Sequence, residues 1–222
     1  MRLIKPSYKI LRCPSGETIL RAIEEAGRTC YKSEDKITDG SAIEFVKKIM
    51  KRKHVSVIEH ESISVRFIID RGVSHELVRH RLCAFSQEST RYCDYAGGHI
   101  TFIIPPWIRQ DQSEEFMTTA ILLNASDVLL QPASVWKNTM LHLERMYELL
   151  RECNWSPQQA RSVLPNSLKT EIVVTANLRE WRHIFNLRCS AAAHPQMQEI
   201  MIPLRDELQS RIPVIFDEKF DS

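Results

Sequence analysis

The chain has 222 residues, 43% apolar and 26% charged, the profile of a soluble globular protein long enough to bury a core without disulfides or structural metal. Thirty Lys and Arg against 28 Asp and Glu leave a net charge of +2, which argues against a general nucleic-acid binder but leaves room for an anionic small molecule held by a local cluster. No run approaches the ~20 apolar residues that span a membrane. Met1 to Leu11 lacks the apolar stretch of a secretory signal. The six cysteines are scattered and form no C-x-x-C pair, so reduced thiols in a cytoplasmic protein are expected, with no zinc site.

Taken in chain order, Ile19, Ile23, Ala26 and Cys30 recur at helical spacing after Ser15-Gly16. Ser41 to Glu44 reads as a capping box, opening a helix whose apolar stripe is Ile43, Val46, Ile49 and Met50. Ile63, Val65, Phe67 and Ile69 alternate with Ser62, Ser64, Arg66 and Ile68, the pattern of a half-buried strand. Ser74 is placed to cap a helix following that strand; on such a helix Arg79 and Arg81 would lie about 200° apart and could not share a face. Ile100 to Ile104 is a short apolar run closed by Pro105-Pro106, and the stretch from Gly97 to Pro132 is irregular, as a loop insertion would be.

Trp136, Met140, Leu143, Tyr147 and Leu150 predict a long helix ending near Cys153. Ser156-Pro157-Gln158-Gln159 combines an N-cap, Pro at the first helical position and a returning Gln, for a short helix that stops before Pro165. Ile172 to Thr175 is β-branched and predicts a strand. After the Asn177 cap, Trp181, Ile184 and Phe185 form an apolar face that Arg188, at +7 from Trp181, shares; a charge buried there needs a partner, which an anionic ligand would supply. Long helices with a few strands predict one α+β domain over residues 1–222.

Chemistry concentrates between Ser74 and Tyr92, where Arg79, Arg81 and Arg91 are interspersed with the hydroxyls and amides of Ser86, Gln87, Ser89 and Thr90. Guanidinium forks backed by neutral donors suit phosphate. G-x-G-x-x-G and the P-loop signature are both absent, so side chains must do the holding. His54 and His60 are six apart without a well-placed acidic partner, a poor pattern for a metal, and none is expected.

Arg79-His80-Arg81, seven residues, then Ser89 resembles the R-H-R-x7-S signature of flavin-dependent thymidylate synthases. Further segments resemble that family in the same order: His54 to His60, Ala160 to Pro165, Asn177-Leu178-Arg179, Asn186-Leu187-Arg188 and His194 to Ile200, together spanning roughly residues 10 to 205. The resemblance implies a central twisted, largely antiparallel sheet with flanking long helices. It implies methylation of dUMP to dTMP, with methylenetetrahydrofolate as carbon donor, FAD as hydride carrier and NADPH as reductant. It also implies a homotetramer with sites between subunits, with neither nucleic acid nor membrane as partner.

Carried over by resemblance, Ser56, Arg79, His80, Arg81, Gln87, Asn177, Leu178, Arg179 and His183 contact the flavin cofactor. Glu76, Arg79, Gln87, Glu88, Ser89, Thr90, Arg91, Arg161 and Arg188 bind dUMP. Arg188, Ser89 and His54 take the catalytic places. Arg188 would favour loss of the pyrimidine N3 proton, and Ser89 would hydrogen-bond phosphate or pyrimidine rather than act as nucleophile, since no base stands at a fixed short spacing. Three positions depart from the family pattern. Glu76 stands where glutamine is common, Gln87 replaces a frequent glutamate, and His183 a frequent asparagine. Two rival readings are a nucleotide or RNA-binding module using Arg79, Arg81, Arg91, Tyr92 and Tyr95, and a family member that binds dUMP without turnover.

Overall fold

The computed structural model describes residues 1–98, 100–108 and 131–217. They fall into two compact units.

The first unit comprises Met1–Pro6, Ile69–Gly72 and Glu88–Thr170. In it β1 (Arg2–Ile4) runs parallel to β5 (Thr101–Ile103), with Leu3 opposite Phe102. The apolar repeat of α4 (Pro132–Glu152) lays Met140 and Tyr147 against Ile100, Phe102 and Leu168, and Cys153 closes the helix as expected. Glu144 shares that buried face. Its carboxylate is paired, accepting from the Ile100 N–H at 2.7 Å and facing the Met1 amino group at 2.7 Å, as burial of a charge requires. α5 (Pro157–Ala160) opens with the expected capping box, the Ser156 N–H donating to Gln159 Oε1 at 2.8 Å, and a 3₁₀ turn at Arg161–Val163 ends it before Pro165. Most of the 97–132 stretch, read from sequence as a loop insertion, lies outside the described residues.

The second unit comprises Ser7–Ile68, Val73–Gln87 and Glu171–Ser222. Four strands lie in the order β2 (Ser7–Arg12), β3 (Ser62–Asp70), β6 (Lys169–Asn177), β4 (Ala84–Gln87), and the β2/β3 and β6/β4 pairs are antiparallel. Ile63, Val65 and Phe67 on β3, and Ile172, Val174 and Ala176 on β6, are buried at every second position, as period-2 patterning predicts. α1 (Gly16–Tyr31) is capped by Ser15, whose hydroxyl accepts from the Thr18 N–H at 3.1 Å. α1 packs on α2 (Ser41–Lys51). Gly27 is required there, because a Cβ would come within 2.6 Å of the Phe45 ring.

Three local expectations for these helices are corrected. The Ser41–Glu44 capping box does not form: Gly40, at φ 87°, turns the chain into α2, Ser41 Oγ donates to the buried Glu24 at 2.7 Å, and Glu44 pairs with Lys47. Ile43 is 45% exposed, because the buried stripe is rotated by one residue onto Ala42, Val46, Ile49 and Met50. Cys30 is also exposed, since α1 buries Ile19, Leu20, Ile23 and Gly27.

α6 (Leu178–Arg188) begins at Asn177, whose Oδ1 accepts from the Glu180 N–H at 2.8 Å. Trp181 anchors the helix: it is fully buried, donates from Nε1 to the Ile63 carbonyl at 3.1 Å and stacks on Phe185. α7 (Pro195–Arg211), capped by His194, packs on α6 and on α8 (Pro213–Phe216). Among the described residues no helix is long and apolar enough to cross a membrane.

Candidate active site

α3 (Arg71–Leu77) continues directly from β3, enters the second unit at Val73 and ends sooner than the sequence suggested. Its backbone tightens, with Arg79 N–H bonding the Glu76 carbonyl and His80 N–H the Leu77 carbonyl, both three residues back and at 3.2 Å. Ser74 therefore lies inside the helix rather than at its N-cap; its hydroxyl accepts from Gln87 Nε2 at 3.0 Å. Arg79 and Arg81 lie beyond the helix, so their separation on a wheel has no meaning. The turn carries His80 inward, to 5% exposure, and leaves Arg79 and Arg81 exposed, without an acidic partner among the described residues.

Arg188, at the end of α6, reaches back along the helix as long helical side chains do. Its Nε–H donates to His80 Nε2 at 3.0 Å, its Nη1 to Glu76 Oε2 at 2.7 Å and its Nη2 to the Glu76 carbonyl at 3.0 Å. The Arg188 side chain is 18% exposed. The partner expected from a ligand is thus already present in the chain as Glu76. Of the five guanidinium N–H groups, two are left for a ligand.

On the far side of the ring, His80 Nδ1 lies 3.3 Å from Glu180 Oε1, both side chains being nearly fully buried. Burial first, then the Arg188 charge and His183, hold the His80 pKa down to about 4, and burial pushes the Glu180 carboxyl up against the opposing influence of His183. The ring is therefore neutral. Because Nε2 accepts from Arg188, the ring proton sits on Nδ1, facing Glu180. His183 is exposed and stands edge-on to His80, with ring centroids 5.7 Å apart. Ligating atoms of His80, Glu180 and His183 lie within 4.8 Å of one another, but a guanidinium 3.0 Å from His80 Nε2 makes this donor set unsuitable for a cation. Burial and Glu180 push the Cys83 thiol up to about 12, so it offers no thiolate.

The other expected cofactor contacts are dispersed over the same unit. His54 is exposed with Nδ1 3.1 Å from the Tyr31 hydroxyl, and Ser56 is exposed in the 3₁₀ turn Val55–His60. Arg179 is held by Glu59 at 2.5 Å. Two expectations change here. The Leu178 side chain is fully buried in the core and its N–H donates to the Glu61 carbonyl, so it presents no side chain to a cofactor. Asn177 Oδ1 is committed to capping α6, which leaves its amide N–H₂ for a ligand.

In the first unit, the segment after Gln87 is a short run of donors on a rigid support. Ser89 Oγ accepts from the Arg91 N–H at 3.3 Å, and Thr90 Oγ1 accepts from Arg161 Nη1 at 3.1 Å. Arg91 is exposed over the Tyr92 ring and has no carboxylate partner among the described residues. Its two neighbouring acids are occupied elsewhere. Glu88 is held by Lys169 and by the Tyr95 hydroxyl, each at 2.8 Å, and Asp94 by Arg151 at 2.7 Å. The Arg151 hydrogen bond draws the Asp94 pKa down to about 2, and burial with Glu88 raises that of Tyr95. Glu88, expected to bind substrate, is part of the support, with one oxygen on Lys169 and the other on the Tyr95 hydroxyl.

Sequence reasoning missed Glu180, Lys169 and Arg151, and named Tyr95 only in the rival nucleic-acid reading. A signal existed for Glu180 alone: it precedes Ile184 by one turn on the apolar face of α6.

Exposed guanidinium groups that have no acidic partner among the described residues suit an anionic ligand. Residues 17–214 match the family described as thymidylate synthase complementing protein. Flavin-dependent thymidylate synthases of Corynebacterium efficiens and Mycobacterium sp. (strain JLS) are 33% and 34% identical to the chain, over 88% and 87% of it and 78% and 77% of the relatives. Among solved structures, the UMP/dUMP methylase PolB of Streptomyces cacaoi bound with 5-Br dUMP aligns at TM-score 0.76, with 21% identity, over 98% of this chain and 96% of that one. Thymidylate synthase X of Helicobacter pylori with FAD and dUMP aligns at 0.73, with 24% identity, over 98% and 100%; at such identities the likeness establishes the fold. The chain belongs to the flavin-dependent thymidylate synthase family.

Proposed function

We propose that residues 1–222 form a single catalytic domain that methylates dUMP to dTMP with FAD as cofactor, methylenetetrahydrofolate as carbon donor and NADPH as reductant. The proposal includes a homotetramer with sites built between subunits and a cytoplasmic location, both of which rest on the family resemblance. The observation that carries the reading is selective pairing. Arg151, Lys169 and Arg179 each hold a carboxylate, while Arg79, Arg81 and Arg91 hold none among the described residues. Exposed cations left unpaired beside paired ones suit ligand anions.

Arg79 and Arg81 fit the pyrophosphate of FAD, with His183, Ser56 and the Asn177 amide as further contacts. Arg179, which holds Glu59 through Nη1, would join them through its remaining N–H groups. When bound and reduced by NADPH, the flavin would supply the hydride that completes the methyl group. The remaining roles belong to the chain. Arg91, Arg161 and the hydroxyls of Ser89 and Thr90 hold the nucleotide phosphate. Arg188 offers two N–H donors to the pyrimidine, and its charge favours loss of the N3 proton, which raises electron density at C5 for attack on the carbon donor. Ser89 orients, since among the described residues no base is bonded to its hydroxyl. His54, tied to Tyr31, stands by to contact flavin or folate.

The test is tritium release from 5-tritiated dUMP by protein reconstituted with FAD, methylenetetrahydrofolate and NADPH. Release in step with dTMP formation is expected. Flavin-loaded protein that binds dUMP without release would overturn the reading, as would protein that takes up no flavin.

A further inference from the structure

We propose that Glu180 is a positioning residue for Arg188, acting through His80. The inference rests on the functional reading only for what Arg188 does; the relay itself is a matter of geometry. Three contacts lie in series: Glu180 Oε1 to His80 Nδ1 at 3.3 Å, His80 Nε2 to Arg188 Nε at 3.0 Å, and Arg188 Nη1 to Glu76 Oε2 at 2.7 Å. The middle link imposes a condition. An arginine Nε–H can only donate, so His80 Nε2 must carry a lone pair, and in a neutral ring the proton is then on Nδ1. Nothing intrinsic to imidazole selects that tautomer. A carboxylate facing Nδ1 does select it. The opposite tautomer would set an Nε2–H against the Arg188 Nε–H and push the guanidinium off its present line.

Glu180 is well fixed for this task. Its own N–H is bonded to Asn177 Oδ1 at 2.8 Å, and the adjacent Trp181 is anchored to the Ile63 carbonyl. A carboxyl with 6% of its side chain exposed is costly to keep in a core without such a use. The other groups around the ring are His183, edge-on at 5.7 Å, and Cys83, whose thiol feels the Glu180 charge. The ring nitrogens face Arg188 and Glu180 instead.

The experiment reads the imidazole nitrogens of ¹⁵N-labelled protein, with the His80 signals assigned by H80Q, and separately kcat and KM for dUMP in the FAD-loaded enzyme. Wild type shows His80 as the Nδ1–H tautomer. E180L moves His80 toward the Nε2–H tautomer and lowers kcat at least about tenfold, the scale seen when a supporting partner is removed, with KM for dUMP and flavin content little changed. E180Q keeps an acceptor oxygen at the same place, so it retains the Nδ1–H tautomer and restores kcat to within a few-fold of wild type. An unchanged tautomer in E180L overturns the proposal. So does an E180Q protein that folds but has lost the Nδ1–H tautomer, a result that decides the matter even where E180L fails to fold. The spectroscopic arm needs no turnover; a wild type that makes no dTMP would count against the functional reading and leave the relay to be judged by tautomer alone.

Discussion

Around Arg188 the chain answers a guanidinium with its own groups, Glu76 at 2.7 Å and neutral His80 at 3.0 Å, whereas at Arg91 it leaves the guanidinium exposed and spends the nearby acids, Glu88 and Asp94, on Lys169, Tyr95 and Arg151. The difference separates two tasks. A charge held on three sides keeps its direction, which matters when it must act on one atom of a ring. A charge left open in solvent, on a backbone stiffened from behind, is suited to capture a phosphate. Removing the first should damage turnover, and removing the second should damage binding.

The largest effect is expected from Arg188→Ala. The rate of dTMP formation at saturating dUMP should fall by about 10²-fold or more, the scale of losing one preorganised electrostatic contact, while flavin absorbance persists. Arg91→Ala should raise the KM for dUMP by about 10- to 100-fold, the equivalent of one charged hydrogen bond, with kcat within a few-fold. An exchange of these two signatures would break the comparison. Lys169→Met removes the ammonium that holds the part-buried Glu88 carboxylate and should cost about 2 kcal/mol, read as a drop of several degrees in Tm; an unchanged Tm would mean that the support behind Ser89 to Arg91 does not depend on this pair.

Acid provides a fourth test. His80 titrates near 4 in the fold against an ordinary 6.5, so between those values the unfolded chain takes up a proton that the folded one refuses. Stability contributed by the neutral ring is therefore present above about 6.5, is lost as pH falls toward 4, and changes no further below that. Glu180, with its pKa raised above 4.5, acts in the opposite sense, losing stability as pH rises through its range, so the comparison must be between wild type and His80→Gln. His80→Gln should flatten the fall in Tm between pH 7 and pH 4; an identical slope would contradict a buried neutral ring. The smallest effect is expected from Glu76→Gln. Removing a carboxylate that neutralises Arg188 should lower the KM for dUMP by about three- to tenfold, and a higher KM would show that Glu76 serves the substrate directly.

Much of this was legible in the sequence because it depends on local rules. The alternation through Ile63 to Ile69, the Ser156 capping box and the repeat from Trp136 to Leu150 all reappear in the structure, since each is set by residues within one or two turns of each other. The arginines with their hydroxyl neighbours were visible as a composition anomaly. What could not be read were the partners. Glu24 takes the Ser41 hydroxyl from 17 positions away, Glu76 meets Arg188 across 112 residues and Lys169 meets Glu88 across 81, and no pattern in a single chain specifies such pairs. The early end of α3 was hidden for another reason. Its last turn tightens because His80 is drawn into the interior, a tertiary gain that overrides the helical periodicity of Leu77 to Arg81.

The central claim is that guanidinium groups without acidic partners are reserved for the anions of the ligands. Its most direct test is the salt dependence of FAD binding to the full-length protein, wild type against an Arg79→Gln, Arg81→Gln double variant. The wild-type affinity should fall steeply as salt rises, and the variant should bind more weakly with a shallower slope. An affinity that ignores salt, or a double variant with the wild-type slope, would contradict it.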